Sequence, residues 1–185
     1  MAIKQINVQM IPESYLEDFK AMVEKEVNCL QNLNHPYIIK LVGVSMTRNN
    51  LYLATELCPD GNFSKIMGKV PIKTLLIYFK QIIQALVHAK SIGVIHRDIK
   101  PENILMKDNV AKVCDFGFSK FVDDPSVKNK MTSKIGTPLY MAPEVFSEEP
   151  YSCQCDVWSC GVMLYQMIYA QTPWMGMNQY DLFDN

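Results

Sequence analysis

Two stretches of this chain put side chains able to move protons and hold a cation at short, fixed distances. The first is His96-Arg97-Asp98-Ile99-Lys100-Pro101-Glu102-Asn103, in which a carboxylate and a carboxamide lie five residues apart with a lysine between them. A positioned carboxylate can take a proton from a hydroxyl, and carboxylate and carboxamide oxygens are ligands for hard divalent cations. The second is Asp115-Phe116-Gly117, twelve residues beyond Asn103 and preceded by the strand-like run Ala111 to Cys114. Taken alone, the first stretch also reads as a turn with a helix cap, since Asp, Asn and Pro are all good turn residues.

In order and distance the two stretches resemble the catalytic loop, H-R-D-L-x-x-x-N, and the D-F-G element of the protein kinase family. Gly136-Thr137-Pro138-Leu139-Tyr140-Met141-Ala142-Pro143-Glu144 is similar to the end of a kinase activation segment, with its A-P-E element and substrate platform. The resemblance implies that Asp98 is the base toward a substrate hydroxyl, that Asn103 ligates a metal on the ATP phosphates, and that Asp115 holds the bridging Mg²⁺. It places Lys100 near the transferred phosphate and Thr137 beside the base, the pair that favours serine/threonine over tyrosine specificity.

Lys4, in Ala2-Ile3-Lys4, resembles the V-A-I-K lysine that grips the α and β phosphates and pairs with a helix glutamate. Glu26 fits that partner better than Glu24 by its distance from Asn34-His35-Pro36. By the same alignment Thr55 guards the back of the adenine pocket and is small enough to admit a bulky group. Glu56 to Cys58 form the hinge, working through peptide groups, and Asn62 and Leu105 complete the nucleotide contacts. Asp156, leading Val157-Trp158-Ser159-Cys160-Gly161, is implied to hydrogen-bond the catalytic-loop backbone as a support. Cys114 and Cys160 read as packing residues. Arg97 before the base implies pairing with a phosphate on the activation loop, at Ser133 or, second, Thr132, placed there by an activating kinase.

The elements that must position these residues follow from periodicity. Ala2 to Val8 reads as a strand end, and Pro12 to Ser14 lets a helix begin. Phe19, Val23, Val27 and Leu30 recur at helical spacing until Asn34-His35-Pro36 stops them. Ile38 to Val44 and Leu51 to Thr55, around the polar turn Arg48-Asn49-Asn50, read as antiparallel strands. Cys58-Pro59-Asp60-Gly61 breaks the pattern, so the expected boundary divides residues 1–57, a small β-rich N-lobe, from 58–185, a larger and mostly helical C-lobe. From Pro71 a helix with Leu75, Phe79, Ile82, Leu86 and Ala89 on one face runs to Gly93. The helix opening at Asp156 is expected to be buried all round, and Lys120 to Lys134 reads as a mobile loop. The expected fold is α+β, a bilobal kinase-like domain.

Composition fits this. At 185 residues, 49% apolar and 20% charged, the chain is globular, and a net charge of −1 gives no field for nucleic acid or an anionic membrane. Six cysteines without metal spacing read as reduced thiols in a cytosolic or nuclear setting. The opening residues do not read as a signal peptide, and the apolar run Val157 to Ala170 is too short to span a bilayer.

Only three residues precede Lys4, so the glycine-rich loop and the later C-lobe helices of the family pattern are expected to lie outside this sequence, which reads as a fragment. That loss is expected to expose apolar surface and leave Glu144 without an arginine partner. The implied function is a serine/threonine protein kinase using ATP and Mg²⁺ on protein substrates. The alternative is a catalytically silent nucleotide-binding or scaffolding module of the same shape. Asp-Phe-Gly-Phe-Ser-Lys and Tyr140-Met141 lean towards the calmodulin-dependent and autophagy-initiating branches.

Overall fold

β3 (Asn50–Thr55) turns Leu51 and Leu53 into the core while the residues between them stay half-buried. This two-residue period marks a strand with one covered face. It forms the centre of a three-stranded antiparallel sheet, with β1 (Ala2–Asn7) on one side and β2 (Leu41–Met46) on the other. The register sets Lys4 opposite Leu53 and Ala2 opposite Thr55. The computed structural model describes residues 1–122 and 131–174; residues 123–130 of the expected mobile loop lie outside that set.

β2 begins three residues later than the apolar run suggests. Ile38 and Ile39 are both buried, and adjacent residues of a one-sided strand cannot both face the core. They are instead tied to the larger part of the molecule: Ile38 bridges Val113, the Ile39 N–H donates to the Val113 carbonyl at 2.8 Å, and the Val113 N–H donates to the Tyr37 carbonyl at 2.8 Å.

α1 (Leu16–Asn32) carries Glu17 and Asp18 in its first turn, where acidic groups complement the helix dipole. It buries Val23, Glu26, Cys29 and Leu30, spaced three and four apart, with Phe19 and Val27 at the margin of that stripe. α2 (Ile72–Ser91) buries Leu75, Tyr78, Ile82, Ala85 and Ala89, flanked by the half-buried Phe79 and Leu86.

Gly93 ends α2 at φ +79°, its N–H donating to the Lys90 carbonyl at 3.0 Å. A Cβ there would stand 2.5 Å from the Val122 carbonyl oxygen. Gly93→Ala therefore adds both a left-handed alanine and a backbone clash, and is expected to cost about 2 kcal/mol. Urea unfolding measures this, and an unchanged midpoint would mean that the Val122 segment yields freely.

Two short strand pairings bracket the residues singled out above. β4 (Val94–Ile95) pairs with β7 (Lys120–Phe121), and β5 (Ile104–Lys107) forms a hairpin with β6 (Val110–Val113) through Asp108 and Asn109, both at positive φ. His96 to Asn103 thus leaves β4 and enters β5, while Asp115 lies between β6 and β7. Two antiparallel pairs force both loops to the same end.

α3 (Pro143–Phe146) and α4 (Gln154–Tyr169) follow. α4 is not buried all round: Val157 is 69% exposed and Tyr169 60%, while Cys155, Asp156, Ser159, Cys160, Val162, Met163 and Met167 form one covered stripe. Apolarity on every side of a helix does not say which side is covered; the three- and four-residue spacing of the buried positions does. The larger core runs from Cys29, Leu33 and Ile39 through Ile82, Ile104 and Phe116 to Met163, and a second, smaller cluster gathers Ile95, Met131, Ala142, Val145, Tyr151 and Cys155. The arrangement is α+β, a smaller β-rich part joined to a larger, mostly helical one.

Candidate active site

The loop from His96 to Asn103 is held from beneath by Asp156. Its Oδ2 accepts the His96 N–H and its Oδ1 the Arg97 N–H, both at 2.8 Å, as expected of a support. This fixes Arg97 at φ +70°, a conformation that costs a non-glycine residue about 1–3 kcal/mol and persists only where surroundings impose it. His96 packs edge-on against Phe116 with ring centroids 4.7 Å apart. Its Nε2 faces the Cys114 carbonyl at 3.0 Å and its Nδ1 faces the Asp98 N–H at 3.2 Å. A carbonyl only accepts and an amide N–H only donates, so the proton sits on Nε2. One imidazole thereby locks the two loops together.

Asp98, 3% exposed, has both carboxylate oxygens engaged. Oδ1 accepts from the Thr137 N–H (3.0 Å) and hydroxyl (2.7 Å); Oδ2 accepts from Asn103 Nδ2 (2.8 Å) and Lys100 Nζ (2.8 Å). Burial pushes this carboxyl upward, but the bonds from Lys100, Thr137 and Asn103 together outweigh it, so it ends below the usual carboxylate range. Lys100 also donates to the Thr137 hydroxyl at 2.6 Å. Thr137 therefore stands beside the carboxylate as expected, and the Lys100 ammonium stands there with it.

Asn103 Nδ2 donates both to the Asp98 carboxylate and to the Asp98 carbonyl, each at 2.8 Å. Two acceptors on that side fix the orientation of the amide and leave Oδ1 as its outward group. The Cys114 N–H donates to the Asn103 carbonyl at 2.9 Å, which carries Asp115 alongside. Asp115 adopts φ +63°, and its carboxylate has no hydrogen bond or ion pair among the described residues. A Cβ on Gly117 would sit 3.4 Å from Asp115 Oδ1 and 3.6 Å from Glu26 Oε2, ordinary contact distances that measure how closely this turn approaches α1.

Lys4 Nζ lies 3.6 Å from Glu26 Oε1; the lysine is half exposed, so the pair contributes about 0–1 kcal/mol and serves to place the amine. Both line a cavity of ≈ 250 Å³ together with Thr55, Leu105 and Asp115. Leu30, Ile39, Leu53 and Cys114 complete its wall, and sequence reading missed them as wall residues. Two had a signal: Leu53 shares a strand face with Thr55, and Leu30 sits one helical turn after Glu26. Cys114 is half-buried beside this cavity, its thiol pushed up to about 12 by burial, whereas Cys160 is in the core.

Glu56, Cys58, Asn62, Lys100 and Asn103 lie outside the lining of that cavity. The Glu56 carboxylate faces the β5–β6 hairpin, bonded to Lys112 (2.8 Å), Lys107 (3.1 Å) and the Lys40 N–H (3.0 Å). Burial raises this carboxyl, but the two lysines and the Lys40 amide bring it below its ordinary value. Asn62 Oδ1 accepts from Ser64. The main-chain N–H groups of Leu57 and Cys58 have no partner among the described residues. Arg97 Nε donates to the Phe118 carbonyl (2.6 Å) and Nη1 to the Tyr151 hydroxyl (3.1 Å), which donates to the Ser133 carbonyl (3.2 Å). Glu144 has no ion pair among the described residues.

The model of the protein kinase domain matches residues 1–185. CBL-interacting protein kinase 28 of Oryza sativa subsp. japonica is 34% identical over 182 residues, covering 96% of this chain and 41% of that protein. CBL-interacting serine/threonine-protein kinase 2 of Arabidopsis thaliana is 34% identical over 187 residues (99% and 40%), and serine/threonine-protein kinase 33 of Mus musculus 31% over 196 residues (99% and 39%). The chain spans about two-fifths of the length of the curated relatives it matches. With the protein kinase domain model covering the whole length from residue 1 to 185, the chain belongs to the protein kinase family.

Proposed function

We propose that this chain is the catalytic core of a serine/threonine protein kinase that transfers the γ-phosphoryl group of ATP to hydroxyls of protein substrates. The observation that carries the reading is the Asp98 carboxylate, buried yet held ionised by four donors and standing beside the Lys100 ammonium. Each oxygen already accepts two bonds, so a substrate hydroxyl takes the place of one of these donors while the other three keep the carboxylate oriented. A carboxyl below the usual range is a weak base, which suits a reaction whose transition state takes the hydroxyl proton late. Lys100 supplies fixed positive charge where phosphoryl oxygens gather negative charge. Lys4, positioned by Glu26, does the same for the α and β phosphates.

The residues present fit Mg²⁺. Asn103 Oδ1 is the outward group of its amide and the Asp115 carboxylate is unpaired among the described residues, both hard oxygen donors. No cluster of three or more His, Cys, Asp or Glu side chains occurs among the described residues, but Mg²⁺ at phosphates takes one or two carboxylates plus the phosphates themselves. Bound there, it would offset negative charge on the phosphate oxygens. The peptide N–H groups of Leu57 and Cys58, without a partner among the described residues, support an adenine-reading hinge, with the lobe boundary at 57/58. Six free thiols support a cytosolic or nuclear site, and among the described residues no helix is long and apolar enough to cross a membrane.

The test is incorporation of phosphate from Mg·ATP into serine- and threonine-containing peptides, with Asp98→Asn as control. Thermal stabilisation by Mg·ATP without transfer would instead identify a nucleotide-binding module.

Regulation by a phosphate on Ser133 or Thr132, added by an activating kinase, belongs to the same reading. Arg97 reaches the Ser133 main chain through Tyr151, so a phosphate at that segment would find a guanidinium already held near it. Ser133→Ala with Thr132→Ala is expected to lower the activity of the kinase isolated from cells about ten-fold, an effect of charge-assisted bonds worth roughly 1.5–3 kcal/mol. Equal activity of the double variant and the parent would remove loop phosphorylation as the switch.

A further inference from the structure

Beyond Asp115 the chain turns through Phe116–Phe118 and reaches Ser119, which is 6% exposed. Its hydroxyl lies 2.6 Å from the Phe116 carbonyl and 3.0 Å from the thiol sulfur of Cys29 on α1. The directions of these bonds follow from counting protons. A serine hydroxyl has one hydrogen to give, and the Phe116 carbonyl has none. Ser119 therefore donates to Phe116, and the Cys29 S–H must donate to Ser119. Burial pushes the Cys29 thiol up, with Ser119 opposing and Glu26 adding to it, so the proton stays on sulfur at neutral pH.

We infer that the chain Cys29 S–H → Ser119 O–H → Phe116 C=O positions the Asp115 turn against α1, and thereby sets where the Asp115 carboxylate meets Mg²⁺. Cys29 sits one helical turn beyond Glu26, so the relay closes a small loop of contacts: Glu26 approaches Gly117, Gly117 approaches Asp115, and Ser119 returns to α1. No ion pair or hydrogen bond of the Asp115 side chain itself fixes this turn among the described residues. With φ +63° at Asp115, the turn has a left-handed start that needs outside support. Ser119 and Cys29 touch no reacting atom in this scheme and act only through the backbone of residues 115–118.

The inference rests on the kinase reading and deepens it. Calorimetric titration of the full chain with ADP, in Mg²⁺ and in EDTA, separates the metal-dependent part of nucleotide affinity from the rest. Ser119→Ala and Cys29→Ala are each expected to weaken the Mg²⁺-dependent part about five-fold, the size of one lost hydrogen bond, and to leave affinity in EDTA unchanged. Cys29→Ser keeps a donor and is expected to recover most of that loss. If both alanine variants keep a native circular dichroism spectrum and the parent's Mg²⁺-dependent affinity, the relay does not position Asp115. The same holds if Cys29→Ser is no better than Cys29→Ala, or if affinity falls equally in EDTA. Failure of the unaltered chain to bind ADP with Mg²⁺ would overturn the kinase reading itself, and the relay with it.

Discussion

Replacing Asp98 by Asn is expected to lower turnover about 10³-fold while leaving Mg·ATP affinity within about two-fold of the parent. The carboxylate contacts Thr137, Asn103 and Lys100 and none of the nine residues lining the Lys4–Glu26 cavity. Its loss therefore falls on the substrate hydroxyl, not the nucleotide. The amide is isosteric, so packing survives, but its NH₂ must oppose either the Thr137 or the Asn103 donors and cannot accept a proton. Initial rates at saturating Mg·ATP, together with a separate binding titration, distinguish the cases. A parallel fall in rate and ATP affinity would move Asp98 from the hydroxyl to the nucleotide. The pH limb follows the same group. Because its folded value lies below the unfolded value of about 3.9, its contribution to stability is complete above that value and is lost as pH falls through the folded one.

Asp156→Ala is expected to have the largest effect on stability, about 2–5 kcal/mol. The carboxylate is 6% exposed and is the acceptor for two adjacent backbone N–H groups, those of His96 and Arg97. An unsatisfied buried donor costs about 1–3 kcal/mol, and the substitution leaves two. It also removes the constraint that holds Arg97 at φ +70°, so activity should fall beyond what unfolding explains. Asp156→Asn keeps one acceptor oxygen and should recover about half of the loss. Urea denaturation of the three proteins measures this; an alanine variant within about 0.5 kcal/mol of the parent would show that water or a shifted loop replaces the carboxylate.

The legible parts of this site are those whose spacing the backbone dictates. Asp98 and Asn103 share one loop between β4 and β5, and Asp115 leaves β6 twelve residues on, so motif order carried their convergence. Glu26 was separable from Glu24 by its distance from Asn34-His35-Pro36, and the structure places it, not Glu24, on the buried stripe of α1. The less legible parts join residues far apart in the chain. Cys29 and Ser119 are 90 positions apart, and Glu56 meets Lys107 51 positions away; no periodicity encodes such pairs. The start of β2 was misread because an apolar run does not reveal that Ile38 and Ile39 are taken by β6. The cover on α4 was misread because its exposed Val157 and Tyr169 are as apolar as much of its buried stripe.

The ionic brace at Glu56 bears on how selectivity for the purine can drift. With that carboxylate committed to two lysines of the hairpin, the proposed hinge at Leu57 and Cys58 would read a base through its main-chain groups. Under the proposed function, exchanges of those two side chains are expected to reshape the rim that an inhibitor touches without altering which heterocycle is admitted, which would make drug resistance and cofactor choice separable.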